Sequence, residues 1–372
     1  MTEKEILAQA YQQAEKADLA TFSEIVRKDI DMLIEKIGSN KSLVSALATS
    51  LVKKIHEPTQ DIRLHRTDFE NGYSARVLDT QVISPFFKDN FPKYANKESS
   101  FLTLATRERI KWTKTEGIQL KIRDKNLKDS FLNIFDQIEV HHQNPEIHLT
   151  YLFAKLIALS KEEEQLFQTL NLQTTVSSSL NIHVIINMLS EFFEGKLSSR
   201  LPVIAIYSIY EILLPKFERY QTKKLVNLQV HTSSDKHGFG DIEIYNNDNS
   251  PFEIIEIKHN IPIDKYLIFD IVKKTKNTPI NRYYILTTFN NSFENTDSEK
   301  EVIAYILEIK KTIGIDIIAN GIITTLKYYL RFIDNYDDFI KIFTQNLIKD
   351  AQNSTEIKNF HIEKWTEILQ KY

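Results

Sequence analysis

The chain has no cysteine among its 372 residues, which excludes a disulfide framework, thiolate zinc sites, iron–sulfur ligation and a cysteine nucleophile. Glycine is nearly as scarce, with eight present where about 7 % is usual. Two of these eight, Gly238 and Gly240, stand side by side around Phe239. No run approaches 18 consecutive apolar residues, and the start, Met1-Thr2-Glu3-Lys4-Glu5, is polar. Both features predict a soluble, unexported chain with no membrane partner. An excess of one charge is missing too: 47 Lys and Arg stand against 50 Asp and Glu, a formal net charge of −3. The field of the whole molecule therefore does not announce a nucleic-acid binder, which leaves only a local basic face to serve that purpose.

The composition is 42 % hydrophobic and 26 % charged, ordinary for a packed globular protein and long enough for two or three folding units. The first half reads as helical. Leu43, Leu47, Leu51 and Ile55 recur every four residues after Asn40, a suitable N-cap. Similar stripes cover residues 3–17, 21–37, 126–138, 146–160 and 180–194. Residues 56–97 carry Pro58, Pro85 and Pro92 without a sustained period and are expected to form an irregular, partly extended excursion on the surface. A soft boundary near residue 195 separates a mainly helical region, 1–195, from a second region, 196–372.

In that second region the pattern changes. A helix over 202–219 is followed by strands at 224–231, 241–245 and 252–258, a helix at 263–275 and a strand at 283–289. The expected order is α-β-β-β-α-β. Ser298-Glu299-Lys300-Glu301 matches a capping box ahead of a helix with Val302, Ile306, Ile309 and Ile313 on one face, 315–319 is a further strand candidate, and the remainder reads as helices.

The densest chemistry lies in His237-Gly-Phe-Gly-Asp241-Ile-Glu-Ile-Tyr245 and Phe252-Glu-Ile-Ile-Glu256-Ile-Lys258, joined by Asn246-Asn-Asp-Asn-Ser-Pro251. A run of turn formers between two β-like segments is a hairpin signal. Pairing Tyr245 with Phe252 across the loop sets Asp241 directly opposite Glu256, and Lys258 projects from the same face because side chains alternate along a strand. A two-residue slip would instead oppose Glu243 to Glu256, which makes Glu243 a reserve candidate. Two carboxylates so close repel each other, and a hard divalent cation removes the conflict: Mg²⁺ takes oxygen ligands from one or two carboxylates, waters and phosphate. Lys258 would orient or deprotonate an attacking water. The plainer alternative is a solvated hairpin face with cross-strand ion pairs. The glycines before Asp241 are expected to let a phosphate or a metal-bound water approach the backbone.

The spacing of Asp241 and Glu256-x-Lys258, with 14 residues between the carboxylates, resembles the active-site motif of the PD-(D/E)xK nuclease superfamily. Gly240 stands where the motif usually has proline. The resemblance implies an αβββαβ core with a mixed sheet flanked by helices, an α+β or α/β fold behind a helical N-terminal region. It further implies Asp241 and Glu256 as metal ligands, the backbone carbonyl of Ile257 as another, Lys258 as the catalytic lysine and Glu211 as an extra acidic residue. Together with Ala8-Gln-Ala-Tyr11, Asn71-Gly-Tyr-Ser-Ala-Arg76 and Lys364-Trp-Thr-Glu-Ile368, the chain is similar to the SacI-type family of type II restriction endonucleases. That likeness implies a homodimeric, Mg²⁺-dependent enzyme of the bacterial cytoplasm that cuts double-stranded DNA and is paired with a protecting methyltransferase.

Residues 97–128 carry nine Lys or Arg, among them Arg107, Arg109 and Lys111, against Glu98, Glu108, Glu116 and Asp124. Arg63, His65, Arg66 and Arg76 precede them, so the stretch 56–128 is the candidate DNA-contacting excursion, the alternative being a solvated face. Beside the hairpin, Ser233, Ser234, Lys236, His237, His259 and Asn260 suit phosphate contacts. A repair nuclease on the same core and a noncatalytic DNA-binding protein remain as rival readings.

Overall fold

A computed structural model describes residues 1–172, 180–228 and 238–372. The chain divides into two compact units, Met1–Gln165 and Leu166–Tyr372. Among the described residues no helix is long and apolar enough to cross a membrane.

The first unit is helical, as its periodicity requires. It contains α1 (Glu3–Lys16), α2 (Glu24–Glu35), α3 (Ile37–His56), the short α4 (Ala75–Leu78) and α5 (Ser84–Asn90), and α6 (Lys125–Glu139). Helix α7 (Pro145–Leu172) leads onward into the second unit. Asn40 interrupts α3 with φ −133° and ψ 36° and returns its side chain to the carbonyl of Lys36, so the regular stripe starts just after it. Residues 56–97 depart from expectation. They form short helical turns with no strand, and Ile62, Tyr73, Ile83, Phe87, Phe91 and Tyr94 are buried in the core. An irregular segment can be buried when its polar groups are satisfied. Asp79, fully buried, accepts hydrogen bonds from Ser45 (3.1 Å), Thr49 (3.3 Å), Ser84 (3.3 Å), Ser99 (2.6 Å) and the N–H of Ser100 (2.8 Å).

The second unit contains α8 (Ile182–Phe193), α9 (Leu201–Leu213), β1 (Lys223–Leu225), β2 (Ile242–Asn246), β3 (Pro251–Lys258), α10 (Lys265–Thr275), β4 (Arg282–Thr287), α11 (Thr296–Thr312), β5 (Asp316–Gly321), α12 (Ile322–Leu330), α13 (Tyr336–Asn353) and α14 (Asn359–Lys371). The strands form one mixed sheet in the order β1-β2-β3-β4-β5, antiparallel from β1 to β3 and parallel from β3 to β5. Helix α9 ends earlier than expected, because Pro215 lies in the 3₁₀ turn that follows and cannot donate to a continued helix. Strand β1 is short; residues 229–231 of the expected strand lie outside the described residues. Asn295, not Ser298, caps α11, accepting from the N–H groups of Asp297 and Ser298.

Helices cover both faces of the sheet, which explains why β3 reads as a nearly continuous apolar run. Ile242, Ile244, Ile255, Ile257 and Leu286 pack into the core shared with α8, α9, α12, α13 and α14. Ile254, Tyr283, Ile285 and Ile317 face the opposite way, toward Ile268 and Ile271 of α10 and Val302 and Ile309 of α11. Glu253 is fully buried on the first face, where it accepts hydrogen bonds from Arg219 (2.6 Å) and the Tyr220 hydroxyl (2.7 Å). The fold is therefore α+β: a helical N-terminal unit and a five-stranded mixed sheet flanked by helices.

Candidate active site

The β2–β3 register sets the site. Ile242 pairs with Ile255, Glu243 with Ile254 and Ile244 with Glu253, the alignment expected from the hairpin, and a bulge at Ile244/Tyr245 then shifts Tyr245 onto Pro251 rather than Phe252. Asp241 lies one residue before β2. Its N–H donates to the carbonyl of Ile255 (2.9 Å), and its Oδ2 accepts the N–H of Ile257 (2.7 Å). The aspartate side chain thus continues the ladder where the strand backbone has stopped. Within a strand the N–H and C=O of one residue point the same way, so the carbonyl of Ile257 is directed toward Asp241, while the carbonyl of Lys258 is taken by the N–H of Thr288 (3.0 Å).

Glu256 and Lys258 leave β3 on one face and touch, Nζ to Oε1 at 2.7 Å. Two groups not foreseen from the sequence join them: Lys274 of α10 stands 3.6 Å from Glu256 Oε1, and the Tyr283 hydroxyl of β4 reaches Oε2 at 3.4 Å. Burial first, and then the Glu256 charge, push the Asp241 carboxyl up to about 6, against the Ile257 hydrogen bond and the positive charges of Lys258 and Arg200. Arg200 is itself buried just ahead of α9 and is fixed by Asp350 of α13 at 2.8 Å. No local pattern marks Arg200, Lys274 or Tyr283 in the sequence, because only folding brings them to the hairpin.

Glu243, opposite Ile254, spends its carboxylate on structure. Oε1 accepts the N–H groups of Phe239 and Gly240, and Oε2 accepts the Tyr245 hydroxyl at 2.9 Å. The structure also gives Gly240 a different reason from the one expected. A Cβ there would meet the Ile254 side chain at 2.5 Å and the Ile255 carbonyl at 2.8 Å, so a close crossing of β3 excludes any side chain. Gly240→Ala is expected to destabilise the chain by about 1–3 kcal/mol, as overpacking does, read from its urea midpoint; an unchanged midpoint would show that the turn adapts freely.

Glu211 is not brought to this cluster. It is exposed near the end of α9, its carboxylate accepts from Asn346 of α13 (2.7 Å), and among the described residues no hydrogen bond or ion pair joins it to Asp241, Glu256 or Lys258. His259 lies next to Lys258, held by Ser198 (3.1 Å) and Thr288 (3.0 Å), with burial pushing its imidazole below the usual value. Lys236, with Ser233, Ser234 and His237, lies outside the described residues.

In the first unit most of the basic candidates have local partners. Arg63 pairs with Asp61 (2.7 Å), Arg66 and Arg109 both pair with Asp68 (2.9 Å each), and Lys111 approaches Glu116 (3.6 Å). Arg76 and Arg107 are exposed, and no ion pair engages either among the described residues. His65 is buried and stacked on Trp112 with ring centroids 4.0 Å apart, its imidazole pushed down to about 4 chiefly by burial. It is a core residue and not a surface contact.

Among the described residues no group of three or more His, Asp or Glu side chains stands in position to hold a metal ion. No protein-family model matches the chain, and no curated protein matches it.

Proposed function

We propose that the chain is a Mg²⁺-dependent endodeoxyribonuclease of PD-(D/E)xK type, a type II restriction endonuclease that hydrolyses phosphodiester bonds in both strands of a specific DNA sequence. One observation supports the reading: Asp241, anchored on the N–H of Ile257 where β2 ends beside β3, lies within the electrostatic reach of the Glu256–Lys258 pair. The element order α9-β1-β2-β3-α10-β4 around that point is the order the resemblance implies.

The donors present fit a hard divalent cation. Both side-chain donors are carboxylates, the Ile257 carbonyl is directed toward Asp241, and the burial and Glu256 repulsion that raise Asp241 are what a bound cation offsets. Asp241, Glu256 and the Ile257 carbonyl would hold Mg²⁺, with waters and phosphate oxygens completing its shell. When bound, the ion polarises the phosphodiester and acidifies water. The chain's own residues do the rest. Lys258 stays beside Glu256, where its charge offsets the negative charge growing on the phosphoryl oxygens and its N–H groups orient the attacking water. Arg200 adds positive charge behind Asp241. On this reading Arg76, Arg107 and His259 contact phosphates, the enzyme acts as a homodimer in the bacterial cytoplasm, and a DNA methyltransferase protects the host sequence.

Incubation of the purified protein with phage DNA and Mg²⁺ tests the proposal. Discrete bands that disappear with EDTA are the expected result. A smear would instead favour a repair nuclease, and intact DNA at every Mg²⁺ concentration would overturn the enzyme reading.

A further inference from the structure

We infer that the outer face of α11 is the contact by which two copies of this chain associate about a two-fold axis. The inner face of the helix is accounted for, Val302 and Ile309 being buried against the sheet. Its outer face is not polar. Ile303 and Leu307, one turn apart, are 45 % and 57 % exposed, and on the neighbouring α10 Tyr266 and Phe269 are 80 % and 54 % exposed. The two helices are adjacent, with Lys265 Nζ lying 5.5 Å from the ring centroid of Tyr305. Single exposed apolar residues are ordinary, whereas two such pairs on adjacent helices mark an interaction surface.

The charge order along α11 says what covers it. Glu299, Ile303, Leu307 and Lys311 form one ridge at four-residue spacing, in the order acid, apolar, apolar, base. Run antiparallel to itself, that ridge is its own complement: Glu299 meets Lys311 of the second copy, and Ile303 meets Leu307 of the second copy. The next ridge, Lys300, Ala304 and Glu308, is also self-complementary and places a small side chain at its centre. Lys300 additionally reaches Asp297 at 3.3 Å in the same helix. The two ridge centres lie one residue apart, about 1.5 Å along the axis, so a single two-fold axis serves both. A two-fold contact uses the same patch on both subunits and so demands this kind of self-complementarity. Asp297, Glu299 and Glu308 stand against Lys300 and Lys311 on this face, a near balance with a slight acidic excess that suits a protein partner and not a polyanion. A stable dimer needs about 800 Å² from each partner, so surface on elements next to α11, such as α10, has to join the contact.

The inference rests on the surface of α11 and not on the nuclease reading. Sedimentation velocity on the full chain tests it. The wild type is expected at twice the 43.5 kDa chain mass. Leu307→Glu, at an exposed position where folding is not at stake, is expected to weaken association at least about 100-fold. Glu299→Lys and Lys311→Glu are each expected to weaken it about 10-fold or more, and an equimolar mixture of the two is expected to associate again because their charges then match. A monomeric wild type, an unweakened Leu307→Glu dimer or a mixture that stays apart would each overturn the contact. A monomer that cuts DNA would end this inference and the homodimer of the nuclease reading while leaving its chemistry standing, whereas a dimer that never cuts would do the reverse.

Discussion

Asp241→Asn is expected to lower Mg²⁺-dependent DNA cleavage at least about 1,000-fold and, in the same protein without metal, to raise the melting temperature at pH 8. The first effect follows from removing a charged ligand. The second follows from its surroundings: burial and the Glu256 charge raise the folded carboxyl from 3.8 to about 6. The folded chain therefore holds a proton between those values that the unfolded chain has released, and ionisation costs stability as pH rises through that window. The penalty is complete above about 6 and absent below 3.8. It is on the order of 3 kcal/mol, which in a unit of this size is worth about 6–12 °C. Asparagine removes the charge while its amide oxygen still accepts the Ile257 N–H. Melting curves of both proteins at pH 8 and pH 4, with cleavage measured in parallel, check both halves. A stabilising effect at pH 8 that fades toward pH 4, together with lost cleavage, is the expected pattern. Cleavage at the wild-type rate would remove Asp241 from the site, and a lower melting temperature at pH 8 would show that the carboxylate is structural.

Lys258→Ala is expected to lower the cleavage rate about 100- to 10,000-fold while destabilising the fold by about 1–3 kcal/mol. The ammonium is the cation nearest Glu256, at 2.7 Å, and on the proposed reading it faces the charge that develops in the reaction. Its loss does not orphan the glutamate, since Lys274 at 3.6 Å remains, whereas the Tyr283 hydroxyl donates to the carbonyl of Phe239 at 2.6 Å. DNA affinity measured without Mg²⁺ should therefore stay near the wild-type value. Lys274→Ala, which removes the more distant cation, is expected to cost less than about 10-fold. Equal losses from the two lysines would assign them a shared electrostatic role and withdraw the specific one from Lys258.

The candidate site was readable because its essentials are local. Fifteen positions separate Asp241 from Glu256, a turn-forming loop joins them, and strand alternation sets Lys258 on the face of Glu256. Those constraints specify the pairing of Ile242 with Ile255 without any contact from elsewhere in the chain. Where the loop imposed its own geometry, with Asn249 at φ 60° and a bulge at Ile244/Tyr245, the expected pairing of Tyr245 with Phe252 gave way. Residues 56–97 misled for the opposite reason. Prolines and a missing period describe the path of the backbone and not its burial, and the polar cage around Asp79 draws on α3 as well as on Ser84, Ser99 and Ser100.

By itself the sequence determined the exclusion of thiol chemistry, the helical first half, the order of strands and helices in the second, and the pairing of Ile242 with Ile255 that brings Asp241 beside β3. Periodicity, turn chemistry and composition act over a few residues and are written directly in the chain. Only the tertiary structure decided that Glu243 braces the Gly238–Gly240 turn, that Gly240 is glycine because β3 crosses it, that Glu211 turns to Asn346, and that Arg200, Lys274 and Tyr283 gather at the hairpin. Most of these depend on pairs far apart along the chain, and even the local one, Glu243, depends on a turn that only packing against β3 closes. Burial and electrostatic coupling arise when segments meet in space, and no local pattern encodes which segments those are.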